Sequence, residues 1–382
     1  MSKTYRIAAI PGDGIGPEVL EIGMEVLTAA VNTLSAGRLQ FDLFPWGSEY
    51  YLQHGRMMPE NALEILKAYD AIYLGAIGDP RVPDHLSLEM LLDLRKGFDQ
   101  YVNLRPVKLL PGVESPVRLK PGETVDFVVV RENTEGEYSR LGGRFKVGTA
   151  DEVAVQTSIF TRKGTERVMR YAFDLARRRA EERAREGVEV KEGGGTAGGP
   201  RPMVTNCTKS NALNYSMVFW DEVYAAVAAE YPDVHRDQAL VDALAMWLVR
   251  RPAYYDVIVS SNLFGDILTD LAAAIQGGMG IAAGGNINPE RTYPSMFEPI
   301  HGSAPRYKGQ NRANPIAAIW AGSMMLEHLG ETAAARLVMK AVEDVLAEGR
   351  YRTSDLGGTS STTEVGEAIK KTIRKKGDAL IR

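Results

Sequence analysis

Residues 5–34, YRIAAIPGDGIGPEVLEIGMEVLTAAVNTL, contain the pattern that decides the fold. Tyr5 to Ile10 is typical of a short buried strand, and from Glu18 to Leu34 apolar residues recur every three to four positions, which predicts a helix. Between them, Pro11 to Glu18 spaces its glycines as GxGxG, which permits a tight bend and the close approach of a ligand. The GxGxxG of a dinucleotide-binding turn is absent, so this segment fits a simple strand-to-helix turn equally well.

The alternation of strand and helix continues along the chain. The pattern predicts strands at 41–46, 71–74, 126–130, 153–160 and 255–260, and helices at 61–69, 161–182 and 266–275. The last hundred residues are predicted to be mainly helical. This order favours an α/β fold with a wound sheet.

Composition narrows the class of protein. A length of 382 residues predicts two to three domains, and 45 basic against 49 acidic residues give a net charge of -4, which favours no nucleic-acid partner. The single cysteine, Cys207, excludes an intrachain disulfide, and five scattered histidines make a zinc site unlikely. With no signal-peptide pattern and no apolar run of about twenty residues, we expect no membrane contact and a cytoplasmic location.

Two glycine-rich segments interrupt the pattern. The stretch from Gly187 to Pro202 is predicted to be a flexible surface loop without a catalytic role. Gly277-Gly278 interrupts a helical run and is a candidate hinge.

Asp266 and Asp270 form the sharpest pair of candidate site residues. Four positions apart, they share one face at the N-terminal end of the predicted helix, where two like charges repel unless a cation bridges them. Carboxylate oxygens favour Mg²⁺ or Mn²⁺ over zinc. The alternative for Asp266 is capping of the helix, which accounts less well for Asp270.

Three arginines are candidates for binding a small dicarboxylate: Arg95, Arg105 and Arg131. Guanidinium groups bind carboxylates in bidentate fashion, and Arg131 follows the apolar strand 127–130, where a buried charge needs a cleft or a partner. Taken singly, each arginine is better explained as a solvated surface charge.

Lys209 and Tyr138 are candidate proton-transfer groups, although a surface lysine and a half-buried tyrosine are the simpler interpretations. The segment Glu298 to Pro305 is rich in turn formers and contains His301. Such a loop can wrap a flat ring, while a lone histidine is more often structural.

Seven motifs in fixed order resemble the β-decarboxylating dehydrogenases, the isocitrate and isopropylmalate dehydrogenase family. They are PGDGIGPE (11–18), LRK (94–96), NLRP (103–106), RENTEGEY (131–138), TKSNAL (208–213), NLFGDILTD (262–270) and EPIHGSAP (298–305). The resemblance implies oxidation at a 2-hydroxy carbon with hydride transfer to NAD or NADP, followed by loss of a carboxylate as CO₂. It also implies an isocitrate/isopropylmalate dehydrogenase-like fold of two α/β domains with a central cleft: 1–100 plus 277–382 on the cofactor side, and 101–276 with the metal ligands, the dimer interface and an arm.

The same resemblance assigns roles to individual residues. Arg95, Arg105 and Arg131 hold the substrate carboxylates. Asp266 and Asp270 ligate Mg²⁺ or Mn²⁺ together with Asp242 of the second subunit. Lys209, also from the second subunit, is the base and Tyr138 the acid, so the active protein is a homodimer, with a tetramer left open. The residues implied in cofactor binding are Gly75, Glu298, His301, Gly302, Ser303, Ala304, Arg306, Tyr307 and Asn314.

Substrate and cofactor preference depend on a few positions. VPDH-x-SL (82–88), FDQYVNLRPV (98–107) and HGRMMPE (54–60) look most like the tartrate/D-malate branch. Three apolar side chains that could accept an alkyl group keep isopropylmalate as the alternative: Leu88, Leu91 and Leu92. A non-catalytic regulatory subunit is the alternative from another class.

Arg306-Tyr307 stands where NAD-using relatives carry Asp, and a cation there attracts the 2′-phosphate of NADP.

Overall fold

The computed structural model describes residues 3–187 and 202–381 and divides into two compact units. The first comprises Met1–Gln100, Leu109–Pro116 and Ala273–Arg382, and the second Tyr101–Lys108 and Val117–Ala272. Most of the loop predicted between Gly187 and Pro202 lies outside the described residues. Within the described ranges, no helix combines the length and apolar character needed to cross a membrane.

The first unit has five paired strands with helices around them. Its strands are β1 (Thr4–Gly12), β2 (Arg38–Leu43), β3 (Ala71–Ala76), β11 (Ala283–Ile287) and β12 (Ser295–Pro299). Its helices are α1 (Gly16–Thr33), α2 (Ser48–His54), α3 (Ala62–Leu66), α4 (Asp84–Gly97), α9 (Ile316–Leu329), α10 (Thr332–Glu348) and α11 (Thr362–Ile381). The strand order is β2-β1-β3-β12-β11, parallel except for β11. Because β3 is buried at every position, its sequence is a continuous apolar run, as expected for an inner parallel strand.

The second unit has a five-stranded section and a separate hairpin. Its strands are β4 (Val102–Lys108), β5 (Asp126–Glu132), β8 (Met203–Thr208), β9 (His235–Leu240) and β10 (Val257–Ser260), with β6 (Gly136–Phe145) and β7 (Val153–Ile159) in the hairpin. Its helices are α5 (Arg162–Arg185), α6 (Ser216–Ala228), α7 (Val241–Arg250) and α8 (Asn262–Ile275). The order is β4-β5-β10-β8-β9, with only β4 antiparallel.

The four parallel strands of the second unit decide where its polar side chains gather. β5, β10, β8 and β9 end at the same edge, because parallel strands share a direction. Arg131 lies at the end of β5, Asn262 follows β10, Lys209 follows β8 and Asp242 follows β9. The carboxyl ends of parallel strands are the usual position of a ligand site in α/β sheets.

The α/β class predicted from the sequence is confirmed, whereas several element boundaries were wrong. The strand predicted at 41–46 runs from 38 to 43, the helix predicted at 61–69 covers only 62–66, and Arg131 lies within β5 rather than after it. The C-terminal part contains β11 and β12 besides its helices. Their sequences, AGGNI and SMFEP, contain glycine and proline, which weaken a strand signal, and only pairing with neighbouring strands makes them strands.

Candidate active site

Three side chains surround Asp266 in the second unit. Its Oδ1 accepts a hydrogen bond from Arg131 Nη1 at 2.5 Å, and its Oδ2 accepts one from the Tyr138 hydroxyl at 2.8 Å. Arg105 Nη2 lies 3.6 Å from the same carboxylate. The structure therefore brings together two of the three predicted substrate arginines, one predicted metal ligand and the predicted acid.

Arg131 is the most deeply buried cation of this group, with only 1% of its surface exposed. Its Nε and Nη2 donate to Asn262 Oδ1 at 3.0 and 2.7 Å. Since a buried guanidinium is costly unless its N–H groups are satisfied, these bonds and the Asp266 carboxylate explain how β5 can end in a charge.

Arg105, on β4, is held by neutral oxygens. Its Nε donates to Asn103 Oδ1 at 2.7 Å and its Nη1 to the Thr269 hydroxyl at 2.6 Å. Thr269 belongs to α8, one residue before Asp270. These neutral acceptors fix the orientation of the guanidinium, and the Asp266 carboxylate, 3.6 Å away, is a charged neighbour.

Asp270 lies one helical turn after Asp266, and burial together with the Asp266 charge raises its pKa, against the opposing effect of Arg105. α8 begins at Asn262, four residues earlier than predicted, so the alternative that Asp266 caps the helix is wrong. Two carboxylates one turn apart, with the charged form of one disfavoured, are a donor set that fits a hard divalent cation. Within residues 3–187 and 202–381, no group of three or more His, Cys, Asp or Glu side chains forms a metal cluster.

Lys209 and Asp242 form a pair of their own. Lys209 Nζ donates to Asp242 Oδ1 at 2.8 Å, and this bond lowers the pKa of Asp242. The pairing follows from topology, because β8 and β9 are parallel neighbours with Thr208 opposite Leu240. Within a single chain, Asp242, the predicted third metal ligand, is therefore hydrogen-bonded to Lys209, the predicted base.

Arg95 belongs to the first unit, where its Nη2 contacts Glu298 Oε1 at 3.0 Å. Both side chains are buried, and Glu298 also accepts from Asn286 Nδ2 at 2.8 Å. Glu298, predicted to bind the cofactor, is therefore occupied by Arg95 and Asn286. It lies in β12 with Pro299, and residues 300–304 of the predicted loop follow that strand outside any helix or strand.

The three leucines of α4 differ in exposure. Leu88 is 39% exposed, Leu91 packs against the core of the first unit, and Leu92 is buried. Only Leu88 presents a large accessible apolar surface.

A cavity of about 620 Å³ in the first unit contains several of the predicted cofactor residues. It is lined by Ile15, Met279, Gly280, His301, Gly302, Ala304, Tyr307, Arg312, Ala313, Asn314, Ser354 and Asp355. His301 Nδ1 lies 3.0 Å from the Gly302 carbonyl, whereas its Nε2 has no hydrogen-bond partner among the described residues. Burial lowers the pKa of His301, which favours the neutral ring. An orphaned ring nitrogen in a cavity of this size fits an organic ligand such as a dinucleotide.

Not every predicted cofactor residue lines the cavity. Gly75 lies in β3, where an added Cβ would come within 2.4 Å of the Pro11 carbonyl oxygen. Glycine is therefore needed here for close packing. Ser303 is buried, and its carbonyl accepts from Ile15 N at 2.8 Å. Arg306 is exposed and lies over the Tyr307 ring at 4.7 Å.

Sequence reasoning missed four residues of these sites. Asn262 and Thr269 hold the arginines, and Asp355 and Arg312 line the cavity. Asn262 and Thr269 lie inside the quoted motif NLFGDILTD, so its spacing was the available signal. Asp355 accepts from Asn314 Nδ2 at 3.0 Å, a contact between residues about forty positions apart that no local pattern indicates.

The chain was compared with known proteins. Residues 6–369 match the family described as isocitrate/isopropylmalate dehydrogenase. The chain is 50% identical over 381 residues to the D-malate dehydrogenase [decarboxylating] of Escherichia coli (strain K12), covering 98% of this chain and 99% of the relative. It is also 50% identical over 384 residues to the tartrate dehydrogenase/decarboxylase of Pseudomonas putida, covering 98% and 99%. Among solved structures, the isocitrate dehydrogenase of Methylococcus capsulatus superposes with a TM-score of 0.83 at 35% identity, covering 97% of this chain and 99% of that one.

Proposed function

The chain belongs to the isocitrate/isopropylmalate dehydrogenase family, and we propose that it is a dehydrogenase that oxidatively decarboxylates a malate-type 2-hydroxy diacid, D-malate or tartrate. The single observation that supports this most is the group in which Asp266 accepts from both Arg131 and Tyr138. It places carboxylate-binding cations, a carboxylate and a phenolic proton together. With D-malate the reaction yields pyruvate, CO₂ and reduced cofactor.

The family generally uses NAD or NADP and a divalent metal. We propose that Asp266 and Asp270 hold Mg²⁺ or Mn²⁺ with Asp242 of the second subunit. When bound, the metal supplies a positive charge that polarises the substrate hydroxyl. The dinucleotide is proposed to bind at the cavity that contains His301 and Asn314.

The side chains of the chain itself supply binding and proton transfer in this proposal. Arg105 and Arg131 bind the substrate carboxylates, together with Arg95. Lys209 takes the proton of the substrate hydroxyl. After CO₂ leaves, the phenolic proton of Tyr138 passes to the carbon that carried it.

We propose that the site is shared across a homodimer, with Lys209 and Asp242 supplied by the partner. The pairing of these two residues with each other, rather than with the Asp266 group, supports this arrangement. The hairpin β6–β7 carries exposed apolar side chains, Phe145 at 60% and Val153 at 49%, and is proposed as the arm that clasps the partner. The buried thiol of Cys207 fits the cytoplasmic location that is part of the proposal.

Mixing inactive subunits tests the shared site. A Tyr138→Phe chain and a Lys209→Met chain are each expected to be inactive. After unfolding and refolding together, mixed dimers should regain one intact site, or about a quarter of wild-type activity in a random mixture. No recovery, with dimers demonstrated by light scattering, would refute the shared site.

For the cofactor we propose a preference for NADP⁺. Arg306 and Arg312 both lie near the Tyr307 ring, at 4.7 and 5.9 Å, so two cations flank a residue that lines the cavity. Arg352 donates to the Leu346 carbonyl at 3.2 Å. Arg306→Asp should shift the ratio of kcat/KM values toward NAD⁺ by about tenfold or more, since an ion pair to phosphate becomes a repulsion. Arg336→Asp, an exposed change on α10, is the control.

A substrate panel decides between the candidate diacids. D-malate, tartrate, isopropylmalate and isocitrate are each assayed with NAD⁺ and with NADP⁺, with and without Mn²⁺. D-malate or tartrate should give the highest kcat/KM. The exposed Leu88 keeps isopropylmalate as the second candidate. A kcat/KM for isopropylmalate tenfold above the values for D-malate and tartrate would select it.

A further inference from the structure

We infer that Asn262 is a positioning residue that sets both Arg131 and the turn before Tyr138, an inference that rests on the proposed function. Asn262 is the first residue of α8, and only 1% of its surface is exposed. Both polar atoms of its side-chain amide form hydrogen bonds. Oδ1 accepts one from Arg131, and Nδ2 donates one to the Glu135 carbonyl at 3.1 Å. One side chain therefore joins β5, α8 and the turn that leads into β6.

The effect on Arg131 follows from the geometry of the guanidinium. Its N–H donors form a rigid fork, and two of them, on Nε and Nη2, converge on the one oxygen of Asn262. The Nη1 donor reaches Asp266 at 2.5 Å. The plane of the group is thus fixed from two sides. Because Asn262 is neutral, it fixes the arginine without adding a second negative charge beside Asp266.

The effect on Tyr138 passes through the backbone. Glu135 lies three residues before Tyr138, and the intervening Gly136 adopts φ +74. A Cβ at Gly136 would lie 3.3 Å from Asn262 Cβ, so the turn passes close to this side chain. The bond from Nδ2 to the Glu135 carbonyl ties the start of β6 to α8, which carries Asp266, the acceptor of the Tyr138 hydroxyl.

Helix capping is the ordinary role of an asparagine at a helix start, and it would use the side-chain oxygen for a backbone N–H of the first turn. Here that oxygen accepts from the Arg131 guanidinium instead. Aspartate could keep the oxygen but would lose the donor to Glu135 and would partly neutralise Arg131. Alanine would lose both contacts.

The test compares Asn262→Ala and Asn262→Asp with Asn206→Ala. Asn206 is also buried in the second unit and bonds to Trp220, Asp221 and Gln238, so its loss removes similar contacts away from this group. Both Asn262 variants should raise KM for D-malate and lower kcat, with a combined loss of about 10- to 100-fold in kcat/KM, while KM for the dinucleotide stays within about twofold. Asn206→Ala should lower the melting temperature and leave the kinetic constants unchanged.

A second readout does not depend on turnover. The Nε–H signal of Arg131, assigned in arginine-labelled protein by NMR through its loss in Arg131→Lys, should exchange slowly in the wild type and rapidly in Asn262→Ala. Kinetic constants within about twofold of wild type together with an unchanged Arg131 signal would overturn the inference. A wild-type protein that turns over none of the four hydroxy acids of the panel would refute the proposed function, and the Arg131 signal would then decide the role of Asn262.

Discussion

Removing the carboxylate of Glu298 should destabilise the protein by several kcal/mol. Arg95 and Glu298 are 6% and 8% exposed, and their contact is 3.0 Å. At an effective dielectric constant near 20, two unit charges at this distance attract by about 5.5 kcal/mol, most of which offsets the cost of taking both out of water. Glu298→Ala loses the attraction but leaves the Arg95 charge buried, so we expect a loss of about 3–5 kcal/mol in the free energy of unfolding.

The assay is urea denaturation followed by both circular dichroism and fluorescence, with coincident transitions required before free energies are compared. Glu49→Ala is the matched control, because Glu49 meets Arg81 at the same 3.0 Å but with 65% and 54% exposure. It should change stability by less than about 1 kcal/mol. The double variant Arg95→Met/Glu298→Met removes both charges and should be more stable than Glu298→Ala alone. If Glu298→Ala lies within 1 kcal/mol of wild type, or if the double variant is the less stable, the reasoning about buried charge is refuted.

Three further perturbations have defined outcomes. Gly14→Ala should lower stability by at least about 2 kcal/mol in thermal denaturation, because φ is +57 and the new Cβ would lie 1.9 Å from the Ser303 carbonyl; an unchanged melting temperature would contradict this. Asp270→Asn should weaken Mn²⁺ binding about tenfold or more in a calorimetric titration, and equal affinity would exclude it as a ligand. Burial lowers the pKa of His328 to about 4, so the folded state resists protonation and stability falls as the pH drops from about 6.5 toward 4. His328→Phe should flatten this loss, which amounts to roughly 2–3 kcal/mol in urea titrations at successive pH values.

The sequence predicted the class of fold because the first element pair repeats a simple physical pattern. A buried strand such as β3 must be apolar at every position, and α1 must be apolar on one face, so both are visible without neighbours. The boundaries of the helices and strands were harder to predict from the sequence. α8 starts at Asn262, whose side chain accepts a hydrogen bond from Arg131 of β5, and local sequence does not show that contact.

The motifs also carried most of the candidate site. Spacing singled out Asp266 and Asp270, whereas Arg105, Arg131 and Tyr138 were candidates whose roles came from the family resemblance. Whether they meet could not be known from spacing, since Arg131 and Asp266 are separated by 135 positions and come together only through the pairing of β5 with β10.

The amino-acid sequence by itself determined the α/β class, the family and the residue types of the proposed chemistry, because periodicity and motif order are properties of the chain. Tertiary structure alone decided which charges are paired. It placed Arg95 on Glu298, Lys209 on Asp242, and Arg131 between Asn262 and Asp266. The reason is physical: the free energy of a charge depends on its burial and on partners from distant strands, and both exist only once the chain has folded.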